Sequence, residues 1–239
     1  LGQGANDPAW VNGSAKTLTT QGDLLYRDGS GLQRLAKGTA NKVLAMNSAA
    51  NAPEWQTVSS DVVKIASVTI SSTTAYVDFQ GCFTDTYKHF SLKWNNLTTS
   101  GSLYPEIGFL KANNSHATDI TYYSKAMQIT NQLSAVTDGG AWSQNDSQGF
   151  RPMNTWTMAG GLNAAHHGEM TFTSPQSSRG KFVMFQSNFI QNYEVGNGTV
   201  GVNWGMGGII STTSYTGLRF ATNTGTFNTG DIAIYGWKQ

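Results

Sequence analysis

Residues 18–55 read LTTQGDLLYRDGSGLQRLAKGTANKVLAMNSAANAPEW, and the spacing inside this stretch decides the fold class. Leu24-Leu25-Tyr26-Arg27 and Leu32-Gln33-Arg34-Leu35 are short apolar runs on either side of Asp28-Gly29-Ser30-Gly31. Two such runs around a Gly-rich connection predict a β-hairpin. Lys37-Gly38-Thr39-Ala40-Asn41 predicts a second turn, and Lys42-Val43-Leu44-Ala45-Met46 a third short strand. Pro53 forces an extended exit and delivers Trp55 as an anchor. The closing phrase Asn51-Ala52-Pro53-Glu54-Trp55 echoes Asn6-Asp7-Pro8-Ala9-Trp10, so the chain opens on the tail of one unit and continues with a complete second one. A start inside a repeat leads us to expect further sequence upstream.

Composition extends the all-β reading to the rest of the chain. Charged residues are only 12% of the total and Gly reaches 27, while Asn, Ser and Thr are abundant. Such a chain favours strands joined by many turns. Its aromatic content of 11% argues against disorder. The formal net charge is +1 with Lys and Arg scattered singly, which gives no footprint for nucleic acid or an anionic membrane. No apolar run is long enough for a membrane-spanning helix. Cys82 is the only cysteine, which excludes an intrachain disulfide and a Cys-based zinc site; beside Phe83 it reads as buried packing. No cofactor is expected.

Residues 1–60 hold too few large apolar side chains to close a core alone, because a unit this small buries little of its surface. Repeats of this kind stack on neighbours or associate with copies of themselves. We therefore expect a prism- or collar-like β-repeat over 1–60, a homotrimer, and Leu24, Leu25, Leu35, Leu44 and Trp55 as its oligomerisation residues. Thr20, Gly22, Asp23, Leu24, Leu25, Arg34, Leu35, Gly38, Val43, Leu44 and Trp55 resemble a unit that recurs in tail fibres and related virion appendages of tailed bacteriophages. Asn41 stands where that pattern more often has Gly, and Asn tolerates a left-handed backbone. The resemblance implies a virion location, a shaft or collar that meets other virion proteins through the upstream part, and a C-terminal β-domain.

Composition shifts after Ser60, and 61–239 reads as a β-sandwich or jelly roll. Expected strands are Val62 to Ile70, Ala75 to Phe79, His89 to Asn95, Leu103 to Leu110, Thr118 to Ile129, Glu169 to Thr173, Lys181 to Ile190, Val195 to Met206, Tyr215 to Phe220 and Asp231 to Trp237. Pro105 marks an edge strand or a bulge. In the most apolar of these, Phe182, Met184 and Gln186 oppose Val183, Phe185 and Ser187. Leu218-Arg219-Phe220, Gly225-Thr226-Phe227 and Ile232-Ala233-Ile234-Tyr235-Gly236 resemble the closing hairpin common at phage fibre C-termini.

Between Thr130 and His167 the pattern fails, and long loops within compact domains carry function. Trp142, Phe150 and Trp156, interleaved with Asn145, Asp146 and Gln148, are what a saccharide platform needs: flat faces for sugar C–H surfaces and polar groups for hydroxyls. The alternative is that these aromatics fill the core or a subunit interface. Adjacent His166 and His167 point to opposite faces of a strand and make a poor chelating pair, so no metal is expected. Glu106, Asp119, Asp138, Asp146, Glu169 and Glu194 are isolated in sequence, and nothing selects a glycosidase pair. No nucleophile elbow, zinc-protease helix or P-loop motif is present. The expectation is a non-enzymatic virion appendage whose C-terminal domain contacts a host-surface glycan or protein, with no nucleic acid and no membrane insertion. A head-fibre, decoration or baseplate role and a polysaccharide depolymerase are the alternatives.

Overall fold

The computed structural model describes residues 18–58, 60–101, 103–132, 135–137, 141–152, 165–191 and 199–238. Within them lie sixteen β-strands and no helix, so the chain is all-β. Backbone proximity divides it into two units, Leu1–Ser60 and Asp61–Gln239. The first copy of the repeat phrase, Asn6 to Trp10, lies outside the described residues.

In the first unit β1 (Leu24–Asp28) and β2 (Gly31–Leu35) form the expected hairpin, with Leu24 opposite Leu35. Asp28 closes its turn by accepting the amides of Ser30 and Gly31 at 2.8 and 3.0 Å. β3 (Lys42–Met46) pairs with β4 (Pro53–Thr57), a strand where only an extended exit was read, and Leu44 faces Trp55. Asn41 takes the left-handed conformation at φ 66°. Asp23 ties the two turns together. Its carboxylate accepts the amides of Thr19, Thr20 and Lys37 at 3.0, 2.7 and 3.0 Å and Arg34 Nε at 2.6 Å. Trp55 donates from Nε1 to the Ala36 carbonyl at 2.7 Å, and its ring lies on Gly38, where a Cβ would come within 2.6 Å of the indole. These local devices explain the motif and cover the Asp23 carboxylate, yet among the described residues they enclose no apolar side chain. No described residue between 18 and 60 is buried, and Leu24, Leu25 and Leu44 keep 37%, 37% and 50% of their surface.

The second unit is a β-sandwich of unequal sheets. Its strands are β5 (Val62–Ile70), β6 (Tyr76–Phe79), β7 (His89–Thr99), β8 (Pro105–Leu110), β9 (Tyr122–Gln132), β10 (Ala135–Thr137), β11 (Ala141–Asp146), β12 (Ala165–Thr173), β13 (Lys181–Gln191), β14 (Thr199–Ile209), β15 (Gly217–Thr222) and β16 (Phe227–Trp237). The large antiparallel sheet runs β10-β9-β14-β13-β12-β7-β16-β5, with β11 also on β9; the small one runs β6-β15-β8. Pro105 opens β8, an edge strand of the small sheet, where its missing N–H costs nothing.

The core lies between the sheets. Trp94 of β7 meets Phe220 of β15 at 5.4 Å, and Phe172 of β12 meets Phe109 of β8 at 5.9 Å. Phe109 also stacks on Tyr215 at 4.8 Å and takes Phe83 and Phe150 edge-on. Tyr122 is buried with its hydroxyl satisfied, accepting from Phe109 N at 2.9 Å and donating to the Ala117 carbonyl at 3.0 Å. Cys82 is buried packing, and desolvation pushes its thiol up to about 12. One expectation is corrected here: residues 218–236 are not a paired hairpin. β15 belongs to the small sheet, while β16 sits between β7 and β5 in the large one. The intervening turn carries the chain across the sandwich, so Leu218 and Phe220 come from one sheet, Ile232 and Ile234 from the other, and all four are fully buried.

Candidate functional site on the outer face of the large sheet

Those residues of the expected saccharide platform that are described do not form one surface. Phe150 is fully buried, edge-on to Tyr122 at 5.0 Å and to Phe109 at 5.8 Å. Its backbone pairs with Ile107, which seals it into the core, so as a ligand residue it is a correction. Asp146 is taken up by an ion pair with Arg151 and by the Gln148 amide at 2.8 Å. Arg151 also binds Glu106 through Nε at 3.1 Å and Nη2 at 2.8 Å, and lies 4.2 Å from the centre of the Tyr104 ring. Among the described residues Glu106 and Asp146 are thus two carboxylates that the fold brings together, and both lean on the single positive charge of Arg151. Burial raises the Glu106 pKa first, Asp146 adds to that, and Arg151 opposes it. The triad clamps the 146–151 segment to β8. Asn145 and Gln148 are exposed. Trp156 and the Trp142 side chain lie outside the described residues, although the Trp142 backbone pairs with Ala126 in the β11–β9 ladder.

The histidines behave as the alternation requires. His166 points inward and stacks on Phe189 at 5.8 Å, and burial pushes its pKa down to about 3. His167 points outward against the Asn95 amide oxygen. Near His166 a row of buried polar side chains, Ser187, Asn203 and Gln128, crosses β13, β14 and β9 in register. Ser187 donates to the Pro152 carbonyl at 2.9 Å, while both amide atoms of Gln128 and Asn203 Oδ1 have no hydrogen-bond partner among the described residues.

On the opposite, outer side of these strands the polarity is inverted. β14 turns Gly201, Asn203, Gly205 and Gly207 inward and sends Val200, Val202, Trp204 and Met206 outward. β9 buries Tyr122, Ser124, Ala126 and Gln128 and exposes Tyr123, Lys125, Met127 and Ile129. β13 buries Val183, Phe185, Ser187 and Phe189, and leaves Phe182 and Met184 exposed at 70% and 67%. A half-covered antiparallel sheet should carry its polar residues on the solvent side. Here the side facing water is the more apolar one.

The registers make the outer side chains contiguous. Met184, Met206 and Lys125 form one row; Gln186, Trp204 and Met127 the next; Asn188, Val202 and Ile129 a third. Phe182, Gly208 and Tyr123 form a fourth, in which Gly208 is the floor of a groove of about 460 Å³ between two aromatic walls. A second groove of about 360 Å³ runs over Thr171, Met184, Trp204 and Met206, with Glu169 at its rim. Sequence reading placed the search in the 130–167 loop and missed this face. The signal was present in Val200-Gly201-Val202-Asn203-Trp204-Gly205-Met206-Gly207, where every large apolar residue falls on one parity and every Gly or Asn on the other. Comparison with family models, with characterised proteins and with solved structures found no match.

Proposed function

We propose that this chain is a homotrimeric virion appendage protein of the fibre type, with residues 1–60 as shaft or collar and the β-sandwich as the part that meets the host surface, glycan being the ligand class. The observation that supports this reading is the first unit: a well-formed network around Asp23 and Trp55 with no buried residue among those described. A unit whose turns are locked but whose leucines stay in water is built for association with its own copies. Leu24, Leu25, Leu35, Leu44 and Trp55 are the residues assigned to that contact. Light scattering on the full chain tests it: a mass three times that of the 25.7 kDa chain supports the reading, and a monomer mass throughout the micromolar range removes it. Attachment is tested by competition, the purified chain blocking particle adsorption to host cells. Asn145 and Gln148 are the exposed members of the expected platform, and their joint replacement by Ala should weaken that competition.

A further inference from the structure

Over β9, β14 and β13 the outer face of the large sheet is left uncovered by the described residues and is inverted in polarity, and the geometry points to the same face of further copies of this chain as its occupant. This inference rests on the homo-oligomeric reading and says where, in the second unit, the copies meet.

Three observations carry it. The first is area. Nine large apolar side chains on the face or at its rim keep 40–89% of their surface in water, on the order of 1,000 Å² together. That exceeds the few hundred Å² of the largest patch on an ordinary monomer and is comparable with the roughly 800 Å² each partner gives to a stable interface. The second is composition. Trp, Tyr, Phe and Met dominate, and between β9 and β12 no outward residue of β14 or β13 is charged, the pattern of an interface centre. The third is charge placement. Lys125 stands on the β9 flank and Glu169, beside Lys93 at 3.3 Å, on the β12 flank, one row away. When copies close around an axis parallel to the strands, the β9 flank of one meets the β12 flank of the next, so Lys125 approaches Glu169. The first unit, with no buried residue among those described, calls for association on independent grounds.

The test uses the full chain and its molar mass across a dilution series. Met184→Glu with Met206→Glu places two charges in the centre of the face at positions exposed in the single chain, and near-UV circular dichroism checks that the sandwich is intact. We expect the dissociation midpoint to rise at least tenfold. Lys125→Glu should raise it less, and adding the exchanged pair Lys93→Glu and Glu169→Lys should bring it back. An unchanged mass and midpoint in the double-Glu variant overturns the inference, including the case in which a different protein covers the face. Leu24→Glu with Leu44→Glu separates the two readings. Loss of the oligomer in that variant alone leaves the fibre reading standing and sinks this one. Loss in the Met184/Met206 variant alone does the reverse, and a monomeric wild type sinks both.

Discussion

Asp23 shows how one carboxylate can organise a repeat that has no core. Its side chain gathers three backbone amides and the Arg34 guanidinium, and Arg34 above all holds its pKa well below the usual carboxylate range. A depressed folded pKa means that the stabilisation is present above the unfolded value, near 3.8, and is lost as pH falls through the folded one. Acid should therefore loosen the first unit as pH drops below about 4. At neutral pH Asp23→Asn should open the β1–β2 hairpin, read as faster tryptic cleavage at Arg27 and Arg34. Arg151 gives the complementary case. It is the counterion of Glu106 and Asp146, whose side chains are 7% and 13% exposed. Arg151→Ala should cost roughly 3–5 kcal/mol at pH 7, because it strands buried charge. Glu106 has a raised pKa, so its charged form opposes folding; the loss should shrink as pH falls below that value and the carboxyl takes up its proton. Urea unfolding at several pH values checks both the size and the sign. Lys181 is a third such residue: it is buried, and its ammonium donates to the carbonyls of Ser211 and Thr213 at 2.8 and 2.7 Å, pinning the irregular segment that precedes Tyr215.

At the level of the element, strand positions were legible wherever apolar residues alternated, as in β5, β7, β13 and β16. Boundaries drifted where small and polar residues give no clear alternation: β12 reaches back from Glu169 through Gly168, His167 and His166 to Ala165. β10 and β11 were missed because they contain few large apolar residues and hold their place by pairing with β9. The closing segment was read as a hairpin because two apolar strands joined by a Gly-rich turn look the same whether they pair or cross a sandwich. Side chains at the strand contacts should rank by burial. Phe109→Ala empties the meeting point of several rings and should cost about 3–5 kcal/mol in a chemical melt. Gly168→Ala, by contrast, adds only a methyl, but that methyl would run into the Trp94 indole across the β12–β7 ladder, next to its register shift. It should destabilise by about 1–3 kcal/mol, although Ala normally suits a strand better than Gly.

For the molecule as a whole, the two units differ in what holds them. The sandwich has a continuous aromatic core, whereas the described part of the first unit has turns and the Asp23–Arg34 ion pair without an apolar interior. Two thermal transitions are therefore expected. The one belonging to residues 1–60, followed by hydrogen exchange of its amides, should move upward with protein concentration if copies complete it. A concentration-independent first transition would show that the unit is held by its own chain.

By itself the sequence determined the all-β class, the hairpin around Asp28–Gly31 and the strand alternation, because each is a matter of local period and turn chemistry. It also held the inverted polarity of β14 in plain view. Only the tertiary structure decided which parity of each strand faces the core, since alternation has two faces and no local rule says which will find a partner. The same decision took Phe150 out of the candidate platform and put Phe182, Met184, Trp204 and Met206 in water. Long-range pairing alone brings Glu106, Asp146 and Arg151 together, and sends β15 and β16 to different sheets.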